Sequence, residues 1–118
     1  MEMERRLFVR FSMSGSVLIQ PDQENSNTID CELVDLGFEG VGFYSPKRII
    51  VEKVRFIIIN RQLNVNISGT GKIIFCKSVK YNNTDYYRVG LEFIEVDHQQ
   101  VRSILMQVRE IPREQIGK

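Results

Sequence analysis

Apolar and polar residues alternate one by one along much of this chain, and a period of two confines it largely to strands. Leu63, Val65 and Ile67 alternate with Asn64, Asn66 and Ser68. Side chains two apart share one face of a strand, so this run predicts one apolar face and one wet face. Ile29, Cys31 and Leu33 alternate with Asp30 and Glu32 inside a predicted strand over 28–36, where Val34 adds apolar weight. Residues 16–20, 41–44 and 51–60 are apolar runs rich in Val, Ile and Phe, which also favour strands.

The punctuation between these runs is equally regular. The polar stretch 22–27 and the Ser45-Pro46 pair predict loops. Gly69-Thr70-Gly71 predicts a bulge or bend before a strand over 72–80. Asn82-Asn83-Thr84-Asp85 predicts a hairpin turn into a strand over 86–96. Strands this short and closely spaced, six or seven in all, predict a mainly β fold, an antiparallel barrel or sandwich, over a βαβ fold.

The period changes near the end. Val101, Ile104, Leu105, Val108 and Ile111 recur at spacings of three and four, the apolar stripe of an amphipathic helix. Asp97 followed by Gln100 resembles a capping box, and Pro112 marks the helix end. The helix is expected to close one side of the β structure rather than to bind a partner.

A chain of 118 residues with 42% hydrophobic and 26% charged residues is expected to form one domain with a self-sufficient core. Sixteen basic and fifteen acidic residues give a net charge of +1. Proteins that hold long nucleic acids through phosphate contacts are usually far more basic, so no DNA or RNA partner is expected. A small anionic ligand needs only a local cluster of cations and is not excluded. Tyr81, Tyr86 and Tyr87 cluster, but lack the basic stripe of a nucleic-acid platform. Cys31 and Cys76 both lie in apolar, strand-like runs and are expected to be buried, reduced thiols. No apolar targeting segment follows the N-terminus, and no run approaches the roughly 20 apolar residues of a membrane helix. The expected compartment is therefore the cytoplasm, without membrane insertion.

Nothing in the residues assembles a catalytic set, and no metal or cofactor is expected. The single histidine, His98, falls in the first turn of the predicted helix beside Asp97. Neither cysteine has zinc-ligand spacing, and no Ser/His/Asp or Cys/His arrangement can be built. Gly69-Thr70-Gly71-Lys72 lacks the full spacing of a phosphate loop and sits between alternating strands.

Two short stretches carry ligand-binding chemistry. In Arg5-Arg6-Leu7-Phe8-Val9-Arg10-Phe11, Arg6 and Arg10 are four apart and project together from a helix or a strand. Paired guanidiniums suit a phosphate ligand and can also grip or stack on guanine. The plainer reading is a solvated basic leader. In Asp35-Leu36-Gly37-Phe38-Glu39-Gly40, a carboxylate can accept from guanine N1 and N2, and glycines let backbone approach a ligand. Here the plainer reading is a tight hairpin.

Taken in order, the Arg-x-x-x-Arg leader, a strand and Asp-x-Gly-x-x-Gly resemble the PilZ domain, a bacterial receptor for cyclic di-GMP. Tyr87-Arg88-Val89-Gly90-Leu91-Glu92-Phe93 is similar to that family's last strand, and a helix follows it. The resemblance spans residues 4–108. It implies a six- to seven-stranded antiparallel β-barrel with a C-terminal α-helix over 12–118, preceded by a flexible ligand-binding leader over 1–11. It further implies that Arg6 and Arg10, assisted by Arg5, bind phosphates and guanine edges, while Asp35, Gly37 and Gly40 form the second motif. Gly37 departs from the family's serine and removes a hydroxyl. The resulting expectation is a cyclic di-GMP receptor that signals to an effector protein when the ligand draws the leader against the 35–40 turn. The competing expectation is a PilZ-like adaptor that no longer binds the nucleotide.

Overall fold

The computed structural model describes residues 10–21 and 27–110. Strands β1 (Arg10–Ser12), β2 (Ser16–Pro21), β3 (Ile29–Gly37) and β4 (Gly40–Ser45) come first. They are followed by β5 (Lys53–Asn60), β6 (Val65–Tyr81), β7 (Thr84–Val96) and a helix, α1 (His98–Glu110). Every pairing is antiparallel. The order β3-β2-β5-β6-β7-β4 returns to β3, closing a six-stranded barrel, and β1 is the extra seventh strand on β3. The predicted barrel and C-terminal helix are both present.

The alternation does what a closed sheet requires. Val17 and Ile19, Val41 and Phe43, Val54, Phe56 and Ile58, Ile67, and Val89 and Leu91 all point inward and are at most 1% exposed. Each such side chain contributes roughly 1.5–3 kcal/mol by leaving water. The helix adds Val101, Ile104, Leu105 and Val108 to the same core and packs against β3 and β6. Asp97 caps it, Oδ1 accepting from the backbone N–H groups of Gln99 and Gln100 at 3.1 Å each. Only half of the predicted capping box forms: Gln100 Nε2 donates to the Asn66 carbonyl at 2.9 Å, pinning α1 to β6.

Departures from strict alternation are where apolar residues come in adjacent pairs. Leu33-Val34, Ile73-Ile74 and Phe93-Ile94 each coincide with a register shift, and the second residue of each pair is skipped in the pairing. The predicted break at Gly69-Thr70-Gly71 is a shift of this kind, between Thr70 and Gly71, and β6 runs through it as one strand. Residues 61–64 form a turn, so β6 begins at Val65 and not at Leu63. Asn82 and Asn83, at φ 50° and 64°, make the tight turn between β6 and β7. β6 pairs β5 only as far as Lys72, and β7 pairs β4 only as far as Tyr87, so Val79–Tyr81 and Thr84–Tyr86 extend past both neighbours as a two-stranded arm.

One buried polar residue ties the barrel wall together. Asn60 is 6% exposed, its Nδ2 donating to the Ser14 carbonyl at 2.6 Å and its Oδ1 accepting from Leu63 N at 2.9 Å. Asn60→Ala removes both bonds and leaves their part-buried partners unpaired. The expected loss is about 1–3 kcal/mol, read as a lower urea midpoint at unchanged m-value.

Candidate functional site

The bulge at Val34 decides where the site faces. Leu33 and Leu36 both point into the core although they are three apart. The residue inserted between them turns Asp35 outward, opposite Gly42 of β4. Gly42 in turn faces Gly90 of β7, and Gly90 faces Phe75 of β6. One row thus crosses four strands on the outside of the wall. The next row is Glu32, Tyr44, Arg88 and Lys77.

Asp35 lies between two guanidiniums. Arg10 Nη1 donates to Oδ1 at 2.8 Å, and Arg88 Nη2 stands 3.5 Å from Oδ2. Arg88 is held from two further directions, Nη1 donating to the Val89 carbonyl at 2.9 Å and the guanidinium lying 5.6 Å from the Tyr44 ring centroid. Gly42 makes this gathering possible. A Cβ there would stand 2.5 Å from Asp35 Oδ1 and 2.7 Å from Arg88 Nη1, so the bare backbone is the floor over which the charges meet. The ring of Phe75 covers Gly90 and is 38% exposed, with Lys77 Nζ 5.6 Å from its centroid. The patch therefore offers a flat glycine floor, an open aromatic face and cations around one carboxylate. A phosphate-bearing, planar ligand suits such a surface.

Of the residues singled out in the sequence, Arg10 and Asp35 are brought into contact. Arg10 belongs to β1, so the last residues of the predicted leader pair with β3. Arg5 and Arg6 lie outside the described residues, as does most of the leader. Gly37 sits within β3, opposite Arg10, and its φ is not positive. Gly40 opens β4 after the Phe38-Glu39 turn, and a Cβ on it would overlap the Leu91 carbonyl oxygen. Close packing against β7 therefore requires a glycine at this position. Arg88, Gly42, Tyr44, Phe75 and Lys77 were not picked out by sequence as site residues. Parity carries their signal: on β7 Val89 and Leu91 face inward, so Arg88 faces out.

Elsewhere the described residues offer little for catalysis. Cys31 and Cys76 are free, and Cys31 is 3% exposed with Sγ donating to the Ile29 carbonyl at 3.8 Å. Burial pushes the Cys31 thiol up to about 11, so it carries no thiolate nucleophile at neutral pH. His98 is exposed in the first turn of α1. Among the described residues no three His, Cys, Asp or Glu side chains gather to hold a metal ion. No helix among them is long and apolar enough to cross a membrane.

Comparison with known proteins places the patch in a wider setting. The family model described as PilZ domain matches residues 4–110. Among solved structures, the PilZ domain of YcgR from Escherichia coli with c-di-GMP superposes with a TM-score of 0.71 at 18% identity, covering 97% of this chain and 98% of that one. The Bacillus subtilis inhibitor of motility, MotI/DgrA, gives a TM-score of 0.69 at 18% identity, over 97% of this chain and 53% of that protein. The Borreliella burgdorferi PlzA protein in complex with c-di-GMP gives 0.61 at 9% identity, over 85% and 50%. This chain thus spans about half the length of those two proteins. No match was found among curated proteins.

The buried thiol gives a measurable signature. Cys31 is expected to stay unreactive toward Ellman's reagent near pH 8 until the chain is unfolded. Because its folded pKa is raised above the ordinary value of 9.0, its contribution to stability is complete below pH 9 and declines as pH rises toward about 11. A denaturation series across that range reads the decline, and Cys31→Ala should flatten it.

Proposed function

The chain belongs to the PilZ domain family, and from that premise we propose that it is a cyclic di-GMP receptor that acts through a partner protein. The observation that carries this reading is the pairing of Asp35 with both Arg10 and Arg88 over the Gly42 floor. A cyclic dinucleotide has two phosphates and two flat guanines. Arg10 and Arg6 would take phosphate oxygens or a guanine O6/N7 edge by charge-assisted bonds. Asp35 would accept from guanine N1 and N2. Phe75, with its ring open beside Gly90, would stack on a base.

Binding on this reading rearranges existing contacts. Asp35 already neutralises part of the charge on Arg10 and Arg88, so the ligand must compete for both arginines. Two phosphates outbid one carboxylate for them, and Asp35 becomes available to a base edge. Drawing Arg10 toward the ligand shifts β1 on β3, which links the site to the residues before Arg10. A change of that kind alters the outer surface offered to an effector protein. Receptor and adaptor roles require no bond-making step, and the chain is read as a binding protein rather than an enzyme.

The second reading, an adaptor that does not bind the nucleotide, draws on Gly37. A serine there would add one hydrogen bond, worth about 0.5–1.5 kcal/mol, and its absence lowers affinity by up to roughly tenfold. That is too small a loss to offset several arginine contacts at about 1.5–3 kcal/mol each, so the receptor reading is preferred.

Calorimetric titration with cyclic di-GMP tests the choice. The wild-type chain should bind, and the Arg6→Ala, Arg10→Ala double variant should lose about 100-fold or more in affinity, from the two charge-assisted contacts removed. Gly42→Ala should weaken binding while thermal unfolding stays near wild type, since the added methyl displaces only side-chain ends of Asp35 and Arg88. Gly37→Ser should tighten binding by up to about tenfold. Silence of the wild type at high micromolar nucleotide would favour the adaptor instead.

A further inference from the structure

A second concave site adjoins the first and shares one of its walls. Glu32, Tyr44, Val79, Lys80, Tyr81 and Tyr86 line a cleft of about 370 Å³. It lies where the β6–β7 arm extends beyond β4, on the same outer face as Arg88. Glu32 and Tyr44 are register partners on β3 and β4. Val79 and Tyr86 are register partners on the arm, and Tyr81 stands near its tip, 67% exposed. Three phenol rings, the Glu32 carboxylate and Lys80, whose ammonium faces Asp85, thus surround one opening.

The charges around the cleft leave Glu32 uncompensated among the described residues. Lys80 Nζ lies 3.9 Å from Asp85 Oδ1, Lys77 lies over the Phe75 ring, and Arg88 is engaged with Asp35. None of these cations is paired with Glu32. A carboxylate amid tyrosine faces attracts a cation, through the ring quadrupoles and through direct pairing. It repels phosphate, which separates this cleft from the dinucleotide patch. A flat guanidinium meets both needs at once, stacking on a ring while its fork of donors reaches the carboxylate.

We propose that this cleft receives an arginine side chain of a partner protein, and that it does so better once dinucleotide is bound. The second half rests on the receptor reading above. Its physical basis is Tyr44, whose ring forms a wall of the cleft while Arg88 lies 5.6 Å from its centroid. In the ligand-free state a second guanidinium entering the cleft meets the positive field of Arg88. Phosphates beside Arg88 cancel that field and draw the guanidinium off the ring. The two sites are then positively coupled, and the coupling is reciprocal.

The test uses N-acetyl-arginine amide as probe and its neutral isostere N-acetyl-citrulline amide as control, followed by amide NMR spectra of the full chain. The arginine probe should produce saturable shifts at Glu32, Tyr44, Val79–Tyr81 and Tyr86 with a millimolar constant, and the citrulline probe should not. Glu32→Gln and Tyr81→Ala should each weaken it by about threefold, with dinucleotide affinity by calorimetry unchanged. Saturating cyclic di-GMP should tighten probe binding by about threefold, a typical size for removal of one neighbouring surface charge. Absence of saturable shifts to roughly 50 mM, well beyond the millimolar constants such contacts support, would overturn the proposal. So would equal binding of citrulline, or shifts centred on Asp35. Probe binding that ignores bound dinucleotide would overturn the coupling alone. A chain that calorimetry finds blind to the dinucleotide would remove the receptor reading and the coupling with it, while the probe arm still judges the cleft.

Discussion

Closing a sheet onto itself obliges every strand to serve an inside and an outside. Six strands here leave no room for ambiguity about which residues fill the interior, because the barrel's radius admits only side chains that interdigitate. Phe43 and Phe56, the largest fully buried side chains, set that spacing, and Val and Ile from their neighbours complete it. The core alone does not finish the lid: α1 supplies four more apolar residues and is fastened by Gln100 to the backbone of β6. Everything that can meet a ligand is what the alternation sends outward.

The outward set is shaped by small violations of that rule. Were Val34 an ordinary ladder residue instead of a bulge, Asp35 would share the face of Leu33 and be driven into the core as a charge. The bulge resolves the conflict by reversing the parity for one step, after which Leu36 again points inward. Strand irregularity and the outward ion-paired carboxylate coincide at Asp35 for that reason. The glycine at position 42 completes the arrangement by leaving nothing between the carboxylate and Arg88.

Much of the fold was readable from residue order because the core is apolar and the period simple. The alternation of 29–33, the part of the 63–68 run from Val65 onward and the stripe of 101–108 each sit in the kind of element they foretell. What escaped was the third dimension of the barrel wall. Leu33-Val34 read as apolar weight in a run and Ile73-Ile74 lay unremarked in the strand over 72–80, whereas in the sheet each doubling is a shift of register. The site divided along the same line. Arg10 and Asp35 announced themselves by charge and spacing. Arg88 was in view as part of a strand pattern, but its partnership with Asp35 depends on β4 lying between β3 and β7, which no local spacing reports. Gly40 drew notice as a glycine suited to a ligand, and no local spacing reports that the neighbouring strand's carbonyl needs it as well.

On the proposed receptor reading, Asp35 also determines what kind of process nucleotide capture would be. Since its carboxylate already sits among the cations of the patch, an arriving anion does not find bare positive charge. It would take over from a resident counter-ion, making the event an ion exchange in which the protein's own anion is displaced and re-employed. The net gain is a difference between two sets of strong contacts, and so it is smaller than either. A receptor built this way would release its ligand readily, because the leaving nucleotide would be replaced at once by a carboxylate that never left the wall.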